Sequence, residues 1–73
     1  MSENYVVTIA APGGEIDSQV LSTEQMNKEV SMITETVKNN DGGYPYTMRS
    51  ADGDMVIVPS QILKNSVIFI KSV

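Results

Sequence analysis

Residues 21 to 43 read LSTEQMNKEVSMITETVKNNDGG, and this stretch decides the fold class. Ser22-Thr23-Glu24-Gln25 has the S-x-x-Q form of a capping box, in which the Ser22 hydroxyl accepts the Gln25 amide proton. Leu21 before the cap and Met26 inside it are spaced as a hydrophobic staple. Behind the cap, Met26, Val30, Ile33 and Val37 recur at helical spacing, which predicts one apolar stripe on a helix running to about Asn39. Thr23, Glu24, Asn27, Lys28, Ser31, Glu35 and Lys38 fall on the opposite, polar side, and Glu24 and Lys38 sit at the ends the helix dipole favours. Asn39-Asn40-Asp41-Gly42-Gly43 supplies residues that tolerate positive φ and end the helix.

Working outward, the flanks read as sheet. Tyr5 to Ala10 (YVVTIA) is a strand by its β-branched and aromatic content, and Pro12-Gly13-Gly14 stops it. Tyr46 to Ala51 and Asp54 to Val58 flank Asp52-Gly53, the dipeptide favoured in a two-residue type I′ hairpin. Pro59 opens a single helical turn, and Ser66 to Val73 (SVIFIKSV) resumes as a last strand. The expected fold is α+β, one small domain over residues 1 to 73 in the order β-α-β-β-β. One amphipathic helix packs on one face of a small, mainly antiparallel sheet.

At 73 residues the core is small, and a chain of this size usually leans on a disulfide, a metal or self-association. The sequence holds no cysteine and no histidine, which removes disulfides and the usual zinc sets and leaves self-association. Nine acidic residues against five basic ones give a net charge of −4. Lys28, Lys38, Arg49, Lys64 and Lys71 are scattered singly, so direct binding to a nucleic-acid backbone is disfavoured. The N-terminal stretch lacks a basic region followed by a long apolar run, so neither a signal peptide nor a membrane anchor is expected, and a cytoplasmic location is the default expectation.

Catalysis at neutral pH usually needs a nucleophile beside a base, a tuned carboxylate pair or a metal, and no recognised motif of that kind is present. The chain is therefore expected not to be an enzyme, with no catalytic residues, metal or cofactor. Asp52 and Asp54 could suggest a calcium loop, but Met55 to Pro59 offer no further side-chain oxygen ligands, and the hairpin turn accounts for them. Gly13-Gly14 and Gly42-Gly43 fit neither dinucleotide nor Walker phosphate patterns. Tyr44, Tyr46 and Arg49 are residue types that anchor interfaces, although packing of one tyrosine on the sheet and of the other at the helix end explains them as well. The methionines read as core filling.

Val6-Val7, Met55-Val56-Ile57-Val58 and Val67-Ile68-Phe69-Ile70 are apolar at successive positions, so these strands want cover on both faces. One helix covers only one. Either the sheet closes on itself or a second copy covers what remains. A homodimer is the expectation, with its seam at Val67, Ile68, Phe69 and Ile70 and with Lys64 and Lys71 flanking that run. The function expected from these features is a small non-enzymatic protein-binding or regulatory module acting as a homodimer, its partner being itself and another protein. One alternative is an acidic inhibitor or decoy of the kind phages and other mobile elements encode, using Glu24, Glu35, Asp41, Asp52 and Asp54 to occupy a basic groove. Another is a small-molecule binder with a pocket between helix and sheet.

Overall fold

The computed structural model describes residues 3–38 and 45–73. In chain order the elements are β1 (Asn4–Ala11), β2 (Gly14–Asp17), β3 (Leu21–Ser22), α1 (Thr23–Lys38), β4 (Tyr46–Arg49), β5 (Met55–Val58), α2 (Ser60–Lys64) and β6 (Val67–Ser72). The chain is a small α+β domain of mostly antiparallel strands with a 16-residue helix packed against them. To the expected order the structure adds β2 and β3. The glycine-rich terminator at 39–43 and Tyr44 lie outside the described residues.

β1 is the central strand, with apolar residues on both its faces, and it turns back at Pro12-Gly13, where the Gly13 amide donates to the Ala11 carbonyl at 2.9 Å. It pairs antiparallel with β2 and β3 along one edge and with β6 along the other. Between the pairs Thr8–Asp17 and Tyr5–Leu21, the three residues Ser18, Gln19 and Val20 stand opposite only Val6 and Val7, which is a β-bulge. At the bulge Ser18 takes over both ladder bonds of Val7: its amide donates to the Val7 carbonyl and its Oγ accepts the Val7 amide, each at 2.9 Å.

The same bulge joins the second sheet, a β4–β5 hairpin. Ser18 bridges Ser50, the Gln19 amide donates to the Arg49 carbonyl at 3.2 Å, and the Ala51 amide donates to the Asp17 carbonyl at 2.9 Å. Ser18→Ala would leave the Val7 amide without its acceptor inside the core, and is expected to cost about 1–3 kcal/mol in a denaturant titration. A cost below about 0.5 kcal/mol, the range of neutral surface changes, would mean that this hydroxyl is dispensable.

α1 begins where the capping box places it. Gln25 N donates to Ser22 Oγ at 3.2 Å and Ser22 N donates to Gln25 Oε1 at 3.1 Å. Ile33 is buried, Met26 and Val30 are half-buried, and Val37 at the end of the stripe is largely exposed. Glu29 shares the half-buried side, so the stripe is narrower and more polar than its spacing suggests. α1 lies with α2 and the hairpin over the inner face of the sheet. The resulting core is Val7, Ile9, Ile33, Tyr46, Met48, Val58 and Leu63, with Ala11, Ile16, Leu21, Val56 and Ile68 packed around it. α2 follows Pro59, whose carbonyl accepts the Leu63 amide at 3.0 Å, and the short helix places Leu63 in the core.

The hairpin turn differs from the type I′ expectation. A type I′ turn needs positive φ at both central residues, and no non-glycine described residue has it. The loop is instead the three residues Ala51, Asp52 and Gly53, closed by Ser50 N donating to the Asp54 carbonyl at 2.8 Å and Gly53 N donating to the Ser50 carbonyl at 2.9 Å. Within this loop only Gly53 takes the left-handed conformation, at φ +87°. Tying Ser50 and Ala51 to Ser18 and Asp17 sets where the strands part, and the longer loop spares Asp52 the left-handed cost. A Cβ at Gly53 would meet only the Gln19 side chain, at 3.9 Å, so Gly53→Val is penalised through its backbone alone. The expected loss is about 1–2 kcal/mol. An unchanged melting temperature would contradict the left-handed assignment at Gly53.

Candidate functional site: the open side of the sheet

The hydrogen bonds of Val7 point toward Ser18, so Val7 and its alternate neighbours Tyr5 and Ile9 face β2 and β3, while Asn4, Val6, Thr8 and Ala10 face β6. Val73 N donating to the Asn4 carbonyl at 2.9 Å fits this phase. On β6, then, Val67, Phe69 and Lys71 spend their backbone groups on β1. Ile68, Ile70 and Ser72 direct theirs away from it, and among the described residues β6 pairs with β1 alone. β6 is an edge strand with a row of backbone donors and acceptors facing outward.

Side chains alternate across the same strands. Ile68 points to the core, whereas Val67 and Phe69 lie on the outer face, 58% and 46% exposed, beside Val6, Thr8 and Ala10 of β1. Thr8 is 1% exposed although it lies on this open side. Its cross-strand neighbours Asp17 and Phe69 flank it, and its Oγ1 donates to Asp17 Oδ1 at 2.7 Å. The outer face is therefore divided: an apolar half over β1 and β6, next to the free edge, and an acidic half over β2, where Glu15 and Asp17 are exposed. Neither α1 nor α2 reaches it, since both cover the inner face with Ile33 and Leu63. The β4–β5 hairpin repeats the pattern at smaller scale: Tyr46, Met48, Val56 and Val58 turn inward, and Met55 and Ile57 are 57% and 62% exposed.

The residues singled out from the sequence separate into two groups. Val67, Ile68, Phe69 and Ile70 come together on the edge strand. Tyr46 and Arg49 do not join them. Tyr46 is a core residue whose hydroxyl donates to Glu29, so it takes the packing role and is not offered to a partner. Burial, followed by this hydrogen bond and the Glu29 charge, pushes its phenol well above the usual tyrosine range. Arg49 is exposed and donates to the Gly53 carbonyl at 3.1 Å, bracing the turn. Tyr44 lies outside the described residues.

The acidic residues of the decoy reading are spread out. Glu24 and Glu35 share the exposed side of α1 with Lys28 between them, Asp52 and Asp54 sit at the hairpin loop, and Asp41 is outside the described residues. Among the described residues no three acidic side chains converge as a metal site, and no helix is long and apolar enough to cross a membrane. A cleft lined by Ser18, Gln19, Leu21, Glu29, Met48 and Arg49 measures about 120 Å³. Sites for drug-sized ligands run to about 300–1,000 Å³.

Comparison with known proteins finds no matching family model, curated protein or solved structure. Of the outer-face residues, the sequence pointed to Val6 through the apolar pair Val6-Val7, but not to Thr8, Ala10 or Asp17. Alternation along β1 was a usable signal for Thr8 and Ala10, but the place of Asp17 depends on the β1–β2 pairing, which no local pattern specifies.

Proposed function

We propose that this chain is a non-enzymatic protein-binding module that works as a homodimer and associates through the open side of its sheet. The observation that carries this reading is the coincidence of an unpaired edge with apolar side chains on one strand, where Val67 and Phe69 stay exposed on the face that neither helix covers. An open strand that apolar is an aggregation hazard unless a protein surface meets it. The small core supplies the energetic reason, because a 73-residue chain without cysteine or histidine has few other ways to bury more surface.

Sedimentation equilibrium at micromolar concentration tests the reading. The expected mass is twice 7.9 kDa and holds as salt is raised, since the contact is apolar. A mass of 7.9 kDa at every concentration overturns it. Association that salt abolishes would transfer the role to the exposed carboxylates.

A further inference from the structure

We infer that two copies join edge to edge through β6, antiparallel and with Phe69 on the two-fold axis, so that their four-stranded sheets become one continuous sheet. The inference rests on the homodimer reading and specifies its geometry. Of the strand edges, β6 is the one built for it. The β2–β3 side is engaged by the β4 junction through Gln19 and Ala51, and β5 has only four residues and runs into Pro59. β6 offers six residues without proline, about 20 Å of edge.

The alternation of backbone groups restricts the register. Only Ile68, Ile70 and Ser72 present free donors and acceptors within β6, so these must form the hydrogen-bonded pairs. With the axis at Phe69, Ile68 bonds to the partner's Ile70 and Ile70 to the partner's Ile68. Phe69 then lies directly opposite the partner's Phe69 on the outer face, in a non-hydrogen-bonded pair where side chains approach most closely. Val67 faces the aliphatic stem of the partner's Lys71. The two Lys71 ammonium groups, the only charges on the strand, are about 13 Å apart along the seam.

Moving the axis one residue, to Ile70, gives a poorer match. Ile68 would face the partner's Ser72, Phe69 would face the partner's Lys71, and the two lysines would approach to about 7–8 Å on one face. An axis at Ile68 would bring only residues 67–69 of each β6 face to face, whereas an axis at Phe69 engages residues 67–71, and of the two longer overlaps it is the one that keeps the lysines apart. The outer face gains a consistent layout as well, since the two apolar halves meet at the seam while Glu15 and Asp17 of each copy lie at the far margins.

The absence of cysteine makes the register directly testable. In non-hydrogen-bonded antiparallel pairs the Cα atoms are about 4.5 Å apart, within disulfide range. Full-length Val67→Cys and Lys71→Cys, which leave Phe69 in place, are mixed under mild oxidation and examined by intact mass. The mixture should yield the mixed disulfide dimer as its main product, with either variant alone giving only traces, and Phe69→Cys alone should cross-link to itself. A wild type that sediments as a dimer, with no preference for the mixed Val67→Cys and Lys71→Cys pair, overturns edge pairing in this register and leaves the homodimer standing. A monomeric wild type overturns both.

Discussion

Replacing Ile33 with Asp is expected to unfold the chain. Ile33 is the one buried residue of α1 and sits in the cluster formed by Val7, Ile9, Tyr46, Met48, Val58 and Leu63. The substitution removes about 1.5–3 kcal/mol of apolar burial. It also places a carboxylate among residues that offer no cation, which costs several kcal/mol more or forces the group to stay protonated. A domain of this size has about 4–10 kcal/mol to lose, so the sum is comparable to its whole stability. Lys28→Ala and Glu35→Ala, on the exposed side of the same helix, should change stability by less than about 0.5 kcal/mol. Val30→Asp should fall between, because Val30 is only half-buried. Circular dichroism and thermal melts decide the matter: if Ile33→Asp keeps a cooperative transition near that of Glu35→Ala, the helix does not present this face to the core.

Phe69→Lys is expected to yield a folded monomer. Within one chain the side chain is 46% exposed and helps cover Thr8, a role the aliphatic stem of a lysine can keep in part, and the backbone bonds of Phe69 to β1 are unaffected. At the two-fold seam the change acts twice, since each copy contributes the residue. Loss of an aromatic anchor costs roughly 2 kcal/mol or more, and apposing two ammonium groups adds repulsion, so the association constant should fall by at least about 100-fold. Sedimentation at the wild-type concentration should give 7.9 kDa with an unchanged far-ultraviolet dichroism spectrum. A dimer that survives Phe69→Lys would place the contact elsewhere, with Met55 and Ile57 on the hairpin as the next apolar surface to vary.

What could be read from the sequence is what short-range chemistry determines. The start of α1 is specified within four residues, because the Ser22 hydroxyl and the Gln25 amide can satisfy each other wherever that segment is helical. The apolar runs at Val6-Val7, Met55 to Val58 and Val67 to Ile70 showed that these strands would carry apolar side chains on both faces, since alternation along a strand needs no knowledge of its neighbours. The sequence therefore determined the α+β class, the helix phase and the strand whose apolar side chains stay exposed.

Tertiary structure alone decided the pairings. β2 has a single apolar residue, Ile16, between Glu15 and Asp17, and becomes a strand only because β1 is there to pair with it. Nothing local marks Ser18, yet the bulge turns its hydroxyl into the acceptor for a buried Val7 amide and its backbone into the joint between two sheets. Tyr46 could have anchored an interface or filled a core, and the half-buried Glu29 drew its hydroxyl inward. The turn at Asp52-Gly53 took the longer loop because Ser50 and Ala51 were already held by Ser18 and Asp17. In each case the deciding partner lies at least ten residues away or belongs to a different element, and a strand's register depends on what it meets rather than on what it contains.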